Sequence, residues 1–298
     1  MYVPKEICMK GYAMSHPRLI SSFSELADTY NAILCDVWGV LHNGRKPFEG
    51  ADAALARFRE RGGKVLLLSN APRPGSTVTA RLDEIGVSRD AYDDILTSGD
   101  VARALLAERG AQNQTCHHIG PAKDADLVEG LDIGFRDIDT ADFILFSGMY
   151  NDTTETPDDY RAAMEKWHAR KLQLVCANPD RQVQFGDSVI YCAGAVAEIY
   201  EKNGGDVVWL GKPYQPVYTE AVAKLESLLD EPARILAIGD GPKTDIPGAQ
   251  GAGIDALFIT GGLASAVQTL DTAEEIAAVL AAENTTAFAA IPVTKIIS

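Results

Sequence analysis

Four short apolar segments of the sequence each run into a polar side chain that could take part in chemistry. These side chains are Asp36 after AILC, Ser69 after KVLLL, Lys212 after VVWLG, and Asp240 after ILAIG. Ligands of open parallel α/β sheets bind beyond the carboxyl ends of the strands, so we expect all four groups at one edge of one sheet. Carboxylates, a lysine and a serine gathered at such an edge are suited to phosphoryl transfer.

Each of these residue types has a role in phosphoryl transfer. Asp36 is a candidate nucleophile, because a carboxylate can form an aspartyl-phosphate and divide one difficult step into two. Asp36 and Asp240, with Asp245 nearby, offer the hard oxygen ligands that Mg²⁺ prefers, and the metal would reduce the repulsion between carboxylate and phosphate. Lys212 would stabilise charge on Asp36 and on the transferring group. Ser69 and neighbouring backbone amides would bind phosphoryl oxygens.

Each residue taken alone also has a structural explanation. Lys212 could be a solvated turn lysine, Ser69 could complete the hydrogen bonding of a strand end, and Asp240 and Asp245 could cap a helix. The four strand ends together favour the functional interpretation. Glycine-rich phosphate loops do not fit, because the GK of GKP precedes proline rather than Ser or Thr, and no G-x-G-x-x-G follows a strand.

Alternating strands and helices with short connections predict how these side chains are positioned. The strands are short buried apolar runs, at 32–35, 64–69, 207–210, 234–239 and 254–259. The helices between them have one apolar face and often end at glycine, at 51–61, 75–85, 194–202, 217–229 and, briefly, after 245. This order predicts an α/β fold with a Rossmann-like parallel-sheet core and right-handed crossovers.

The middle of the chain predicts a second, smaller α/β unit over 92–186, inserted into a core made of 1–91 and 187–298. Its strands are expected at 116–119, 143–147 and 171–176. Ser98 is predicted to cap its first helix, and Thr156 with Pro157 and Asp159 to open another.

Composition limits the class of protein. The 298 residues are 46% hydrophobic and 23% charged, which is typical of globular chains with ample core. The net charge of −15 argues against nucleic-acid and anionic-membrane partners, which need a basic face. Five cysteines without metal-type spacing favour reduced thiols, and the N-terminus shows no secretory signal, so we expect a cytoplasmic protein.

The motifs DVWGV, LLLSN, GKPY and GDGPKTDI, in that order, resemble the four motifs of the haloacid dehalogenase-like hydrolases. The insertion between the second and third motifs is similar to the C2-type cap of class IIA, the branch of 4-nitrophenyl-, pyridoxal- and sugar- or nucleotide-phosphate phosphatases. The resemblance covers roughly residues 30 to 260. It implies a small phosphorylated metabolite as substrate, Mg²⁺ as cofactor and, because dimers are frequent in this branch, a homodimer.

The resemblance also implies roles for individual residues. Asp36 is the nucleophile and Lys212 the charge-stabilising lysine, while Asp36, Asp240, Asp245 and the Trp38 carbonyl hold the metal. The substrate-binding set is Ser69, Asn70, Arg73, Asn178 and Asp180. The last two belong to the CANPD segment, which lies near the substrate in class IIA caps but could also be a simple turn around Pro179.

One position departs from the family pattern, which has a second aspartate two residues after the nucleophile. Here that residue is Trp38, whose carbonyl can bind a metal but whose indole cannot act as general acid or base. Three outcomes stay open: slow turnover, a substrate with a good leaving group, or a weakly catalytic phosphometabolite-binding protein. His42 is a minority candidate for a substitute acid, since a loop histidine at this distance is more often solvent-facing. A metal-independent dehalogenase is a further alternative, disfavoured by the retained Lys212 and the metal-site aspartates.

Overall fold

The computed structural model describes residues 17–185, 188–262, 270, 272–287 and 289–292. We number the elements along the chain. The strands of the described residues are β1 Arg18–Leu19, β2 Ala32–Asp36, β3 Lys64–Ser69, β4 Asp94–Thr97, β5 Thr115–Ile119, β6 Gly134–Phe135, β7 Phe143–Phe146, β8 Gln173–Cys176, β9 Gln182–Phe185, β10 Ser188–Tyr191, β11 Val207–Trp209, β12 Ile235–Gly239, β13 Asp255–Thr260 and β14 Ala289–Pro292. The α-helices are α1 Ser24–Ala27, α2 Ala51–Glu60, α3 Gly75–Ile85, α4 Ser98–Ala111, α5 Arg161–Ala169, α6 Ala193–Lys202, α7 Gln215–Ser227, α8 Asp245–Gly251 and α9 Ala273–Ala282.

Seven strands form one parallel sheet in the order β1-β14-β13-β12-β2-β3-β4. Side chains along each strand alternate between its two faces. Ile33 and Leu67 pack on one face in a cluster with α2, whereas Leu34 and Leu68 pack on the other in a cluster with α7. The inner strands β2, β3 and β12 are buried on both faces, which is why they read as continuous apolar runs in the sequence. The predicted Rossmann-like parallel core is confirmed.

The inserted unit has its own parallel sheet, in the order β11-β8-β7-β5-β6, and a separate antiparallel hairpin of β9 and β10. Helices α5 and α6 cover one face of this sheet, with Trp167 and Tyr200 in its core. The other face joins the same hydrophobic cluster as the core sheet, through Phe143, Leu145 and Val175. The predicted α/β cap is therefore present, and the two sheets share a continuous apolar layer.

The division of the chain between the two sheets differs from the predicted boundaries at 92 and 186. Strand β4, at 94–97, is an edge of the core sheet. Strand β11, at 207–209, pairs with β8 in the cap sheet, and α6, at 193–202, packs on that sheet. The predicted end at 186 is therefore wrong, because an apolar pattern identifies a strand without telling which sheet it joins.

The start of α4 also differs by one residue from its prediction. Thr97, not Ser98, is the N-cap, and it forms a reciprocal capping box with Asp100. Ser98 is the first helical residue, and its hydroxyl donates a hydrogen bond to the Leu210 carbonyl. Thr97 and Ser98 are both residue types that can cap a helix, and the backbone geometry decides between them. Among the described residues, no helix is both long and apolar enough to cross a membrane.

Candidate active site

Three carboxylates meet at the carboxyl edge of the core sheet. Asp36 ends β2, Asp240 follows β12 directly, and Asp245 begins α8. Strands β2 and β12 are hydrogen-bonded neighbours, which brings their ends together. One oxygen of each carboxylate lies within 4.8 Å of the others, and all three residues are buried. Among the described residues, this is the group of side chains that could hold a metal ion.

The surroundings of Asp240 fit a bound divalent cation. Its carboxylate lies against the backbone of Gly39 and Gly262, and a Cβ atom at either glycine would overlap it. Gly39 has φ +95°, a conformation that other residues rarely adopt. The oxygen donors are of the hard type that Mg²⁺ prefers, so the residues present fit the expected metal. The sequence contained both glycines, but it gave no sign that Gly262 meets Asp240.

Lys212 joins two of these carboxylates. Its ammonium group donates to Asp36 Oδ1 and, at 2.7 Å, to Asp245 Oδ1, and its side chain is 4% exposed. Burial acts to lower the pKa of Lys212, but Asp245 and Asp36 outweigh it and raise this pKa well above its ordinary value. Burial raises the pKa of Asp36 above its usual range, aided by Asp245 and Asp240 and opposed by Lys212. A cation at this site would favour the ionised form of Asp36.

The origin of Lys212 corrects one expectation. We expected its strand to end on the same sheet edge as the other three strands, but β11 belongs to the cap sheet. Lys212 follows that strand by three residues and enters the core site from the cap side. The candidate active site is thus assembled from both sheets.

The loop after β3 holds the predicted phosphoryl-binding residues. Ser69 ends β3 beside Asp36, is buried, and accepts a hydrogen bond from the Ala71 amide at 3.2 Å. Asn70 bonds to Lys212 and to Asp180 Oδ1, and the Asp180 amide donates to Asn178 Oδ1 at 3.1 Å. The structure therefore brings Asn70, Asn178 and Asp180 into one network beside Lys212.

Arg73 lies further along the same loop and is tied to the cap. Its guanidinium pairs with Asp126 at 3.0 Å, and Thr77 donates to the same carboxylate at 2.6 Å. Asp126 lies in a 3₁₀ helix at 122–127, so the ion pair links the core to the cap. The sequence does not single out Asp126, because other charged residues lie close to it in the chain and nothing marks it as the partner of Arg73. The substrate-binding role of Arg73 stays a prediction.

The indole of Trp38 packs within its own loop. It lies edge-on to His42, with ring centroids 5.2 Å apart and planes at 76°, and a Cβ at Gly44 would overlap it. His42 is buried, which corrects the expectation of a solvent-facing residue, and its Nδ1 accepts a hydrogen bond from the Gly44 amide at 2.8 Å. Burial, with help from Arg81, lowers the pKa of His42 to about 4. A neutral imidazole in this setting disfavours the substitute-acid role.

Comparison with known proteins places these residues in a family. A model of the haloacid dehalogenase-like hydrolases matches residues 33–134, and a related HAD-hydrolase-like model matches 209–284. The crystal structure of a haloacid dehalogenase-like hydrolase from Brucella suis is 38% identical, with a TM-score of 0.80, covering 92% of this chain and 98% of that one. The chain belongs to the haloacid dehalogenase-like hydrolases.

Further relatives of this haloacid dehalogenase-like chain carry named activities. D-glycerol 3-phosphate phosphatase of Mycobacterium tuberculosis is 30% identical over 81% of the chain, and the chain spans 66% of its length. Ribonucleotide monophosphatase NagD of Escherichia coli is 24% identical, covering 80% of the chain and 90% of NagD. A crystal structure of the mycobacterial glycerol phosphate phosphatase in complex with magnesium has a TM-score of 0.63 and 28% identity, covering 80% of this chain and 70% of that one. These relatives place the chain in the class IIA branch of the family, which contains NagD.

Proposed function

We propose that the protein is a Mg²⁺-dependent phosphatase that hydrolyses a small phosphorylated metabolite through an aspartyl-phosphate on Asp36. The observation that carries this proposal is the buried group of Asp36, Asp240 and Asp245, with Lys212 bonded to two of its members. The names of the relatives support phosphate monoesters as the substrate class, and a magnesium complex of one relative supports the metal.

The described residues can divide the reaction into two displacements. An oxygen of Asp36 attacks phosphorus, the bond between phosphorus and the substrate oxygen breaks, and that oxygen takes a proton from solvent water to leave as an alcohol. Water then attacks the same phosphorus, and the bond to Asp36 breaks to give inorganic phosphate. Lys212 and the Ser69 hydroxyl would donate hydrogen bonds to the phosphoryl oxygens in both steps.

Asp36, Asp240 and Asp245, with the Trp38 carbonyl, would hold Mg²⁺ in this site. The bound ion supplies positive charge that offsets the repulsion between the nucleophile and the phosphate. Asp245 also bonds to Lys212, so it orients the lysine as well as facing the metal position.

Trp38 favours a second candidate function. General acid–base catalysis typically contributes about 10²- to 10⁴-fold, and an indole cannot supply it. The protein is then slow on alkyl phosphates or, in the alternative, a weakly catalytic phosphometabolite-binding protein that keeps the fold and the metal site.

A panel of phosphorylated metabolites and 4-nitrophenyl phosphate, assayed with and without Mg²⁺, separates these functions. We expect Mg²⁺-dependent release of phosphate from at least one member. Binding of a metabolite without turnover of any ester would support the binding protein, and neither binding nor turnover would contradict both. The homodimer and the cytoplasmic location stay predictions.

A further inference from the structure

Asn70 follows β3 directly, and both polar atoms of its carboxamide form hydrogen bonds with two residues from the cap side of the site. Its Oδ1 accepts a hydrogen bond from the Lys212 amide at 2.7 Å. Its Nδ2 donates to the Lys212 carbonyl at 3.1 Å and to Asp180 Oδ1 at 2.8 Å. The side chain is buried, with 5% of the residue exposed.

These contacts account for both hydrogens of the amide. A carboxamide NH₂ carries two donors, and here one meets a backbone carbonyl and the other a carboxylate. Rotating the amide by half a turn would place the NH₂ against the Lys212 N–H, so the assigned orientation is the one the partners require. No carboxamide hydrogen is left for a phosphoryl oxygen, which argues against a substrate contact by the Asn70 side chain.

The same contacts fix the backbone from which the catalytic lysine projects. Lys212 follows a strand of the cap sheet, so no strand of the core sheet holds it, yet its ammonium must meet Asp36 at the end of β2. Asn70 bonds to both backbone groups of Lys212 and thus fixes its peptide units relative to the core. At Gly211 a Cβ would lie 2.7 Å from Asn70 Oδ1, so the close approach of the two segments needs glycine there.

We propose that Asn70 is a positioning residue for Lys212, acting through the lysine backbone and not through the substrate; this inference rests on the proposed phosphatase function. Asp180 is the second partner residue, so the cap segment 178–180 is attached to the same carboxamide. Without the Asn70 side chain, Lys212 is still present, but its backbone loses the hydrogen bonds that anchor it to the core. The distance between its ammonium group and Asp36 is then no longer fixed.

A double-mutant cycle tests this role, using kcat and KM for 4-nitrophenyl phosphate at saturating Mg²⁺. Asn70→Ala should lower kcat by about 10- to 100-fold with little change in KM. Losses of this size are typical when a residue that orients a metal ligand is removed, and we expect a similar loss for a residue that orients a catalytic lysine. In a Lys212→Ala background the same substitution should change kcat by less than about twofold, because the group through which it acts is gone. Asn70→Ser, which keeps a small polar side chain but is too short to reach both backbone groups of Lys212, should show the same pattern and serves if the alanine variant fails to fold.

Ser98→Ala is the matched control. It removes a buried hydrogen bond from the core side to the Leu210 carbonyl, two residues before Lys212, without touching the lysine. We expect a lower melting temperature but a kcat within about twofold of the parent, because a lost buried hydrogen bond reduces stability without moving the catalytic group.

Binding of orthovanadate, a phosphate analogue, gives the cycle a second readout when turnover is too low to measure. The double variant should bind vanadate as weakly as Lys212→Ala alone. Additive losses in either readout, or a raised KM with unchanged kcat, would overturn the positioning role in favour of a direct substrate contact. A parent protein that neither hydrolyses esters nor binds vanadate would instead refute the proposed function.

Discussion

The surroundings of Asp36 shift the pKa of its carboxyl group in opposite directions. Burial, with Asp245 and Asp240 nearby, raises its pKa, whereas the ammonium of Lys212 opposes this rise. That Asp36, Lys212, Asp240 and Asp245 come together could be predicted from sequence, because each ends an apolar strand or follows one within a few residues. The role of Asn70 could not, since its partner Lys212 lies 142 residues away along the chain and nothing in the local pattern joins them.

Replacing the nucleophile tests the covalent step. Asp36→Asn keeps the size of the side chain but removes the nucleophilic carboxylate, so we expect phosphatase activity to be abolished while the fold survives. Circular dichroism checks the fold, and Asp28→Asn, at a carboxylate that is 91% exposed, is the control. Activity within about tenfold of the parent, a loss of only ~1.4 kcal/mol in transition-state stabilisation, would be too small for a nucleophile.

Asp240 offers a separate test of the metal site. Asp240→Asn replaces a charged oxygen ligand by a neutral one, so titration calorimetry should show weaker Mg²⁺ binding, by at least about tenfold. Unchanged affinity in this variant would remove Asp240 from the metal site.

Trp38 should determine which leaving groups react quickly. Alkoxides need a proton in the transition state and phenolates need it far less, so Trp38→Asp should raise turnover of a sugar phosphate more than that of 4-nitrophenyl phosphate. An unchanged ratio of the two rates would show that protonation of the leaving group does not limit the reaction.

The pH–rate profile of His42→Ala complements the test of Trp38. Because burial lowers its pKa to about 4, we expect His42→Ala to leave the pH–rate profile near neutrality unchanged. Loss of an ionisation from that profile would instead assign the acid to His42.

The 3₁₀ helix at 122–127 shows at the scale of one element how neighbouring carboxylates can differ. Asp124 is buried, and burial raises its pKa to about 6 although Lys123 and Ser147 oppose the shift. For Asp126, partial burial acts to raise the pKa, but the bonds from Arg73 and Thr77 outweigh it and lower the pKa. The sequence shows two aspartates separated by a single residue, and only the packing of the helix against the core distinguishes their environments.

These opposite shifts predict opposite effects of pH on stability. Between its ordinary pKa of 3.8 and about 6, Asp124 keeps its proton in the folded state and loses it in the unfolded state, so its contribution to stability falls as pH rises. Asp124→Asn should therefore gain stability relative to the parent across this window, on the order of 2 kcal/mol. Asp126 contributes stability that is present above its unfolded pKa and lost as pH falls, so Asp126→Asn should be less stable than the parent above about pH 4.

Urea unfolding of both variants and the parent, from about pH 4 to about pH 7, measures these differences. If the free energies of unfolding of Asp124→Asn and of the parent changed with pH in parallel, a buried, protonated Asp124 would be contradicted. Equal stability of Asp126→Asn and the parent at neutral pH would show that the ion pair with Arg73 contributes nothing.

At the scale of the molecule, two parallel sheets share one hydrophobic cluster, and polar links cross between them at Arg73–Asp126 and Asn70–Asp180. The class of each sheet could be predicted, because buried strands alternate with amphipathic helices. The assignment of β11 and α6 could not, because a three-residue apolar strand pairs equally well with either sheet until its neighbours are placed. The error in the domain boundary and the error about the origin of Lys212 thus have one physical cause.

Because β11 ends at Trp209 and Lys212 follows three residues later, few positions in the chain are suitable junctions for exchanging cap domains between relatives. A chimaera cut at 186 would leave α6 and the edge strand β11 behind and separate them from the sheet that they complete. A cut after Leu210 keeps that sheet whole, but Gly211 and Lys212 must then come from the same parent as Asn70, whose carboxamide they contact. A cap exchanged at this point would carry its complete sheet with it, whereas Lys212 would remain with the recipient core.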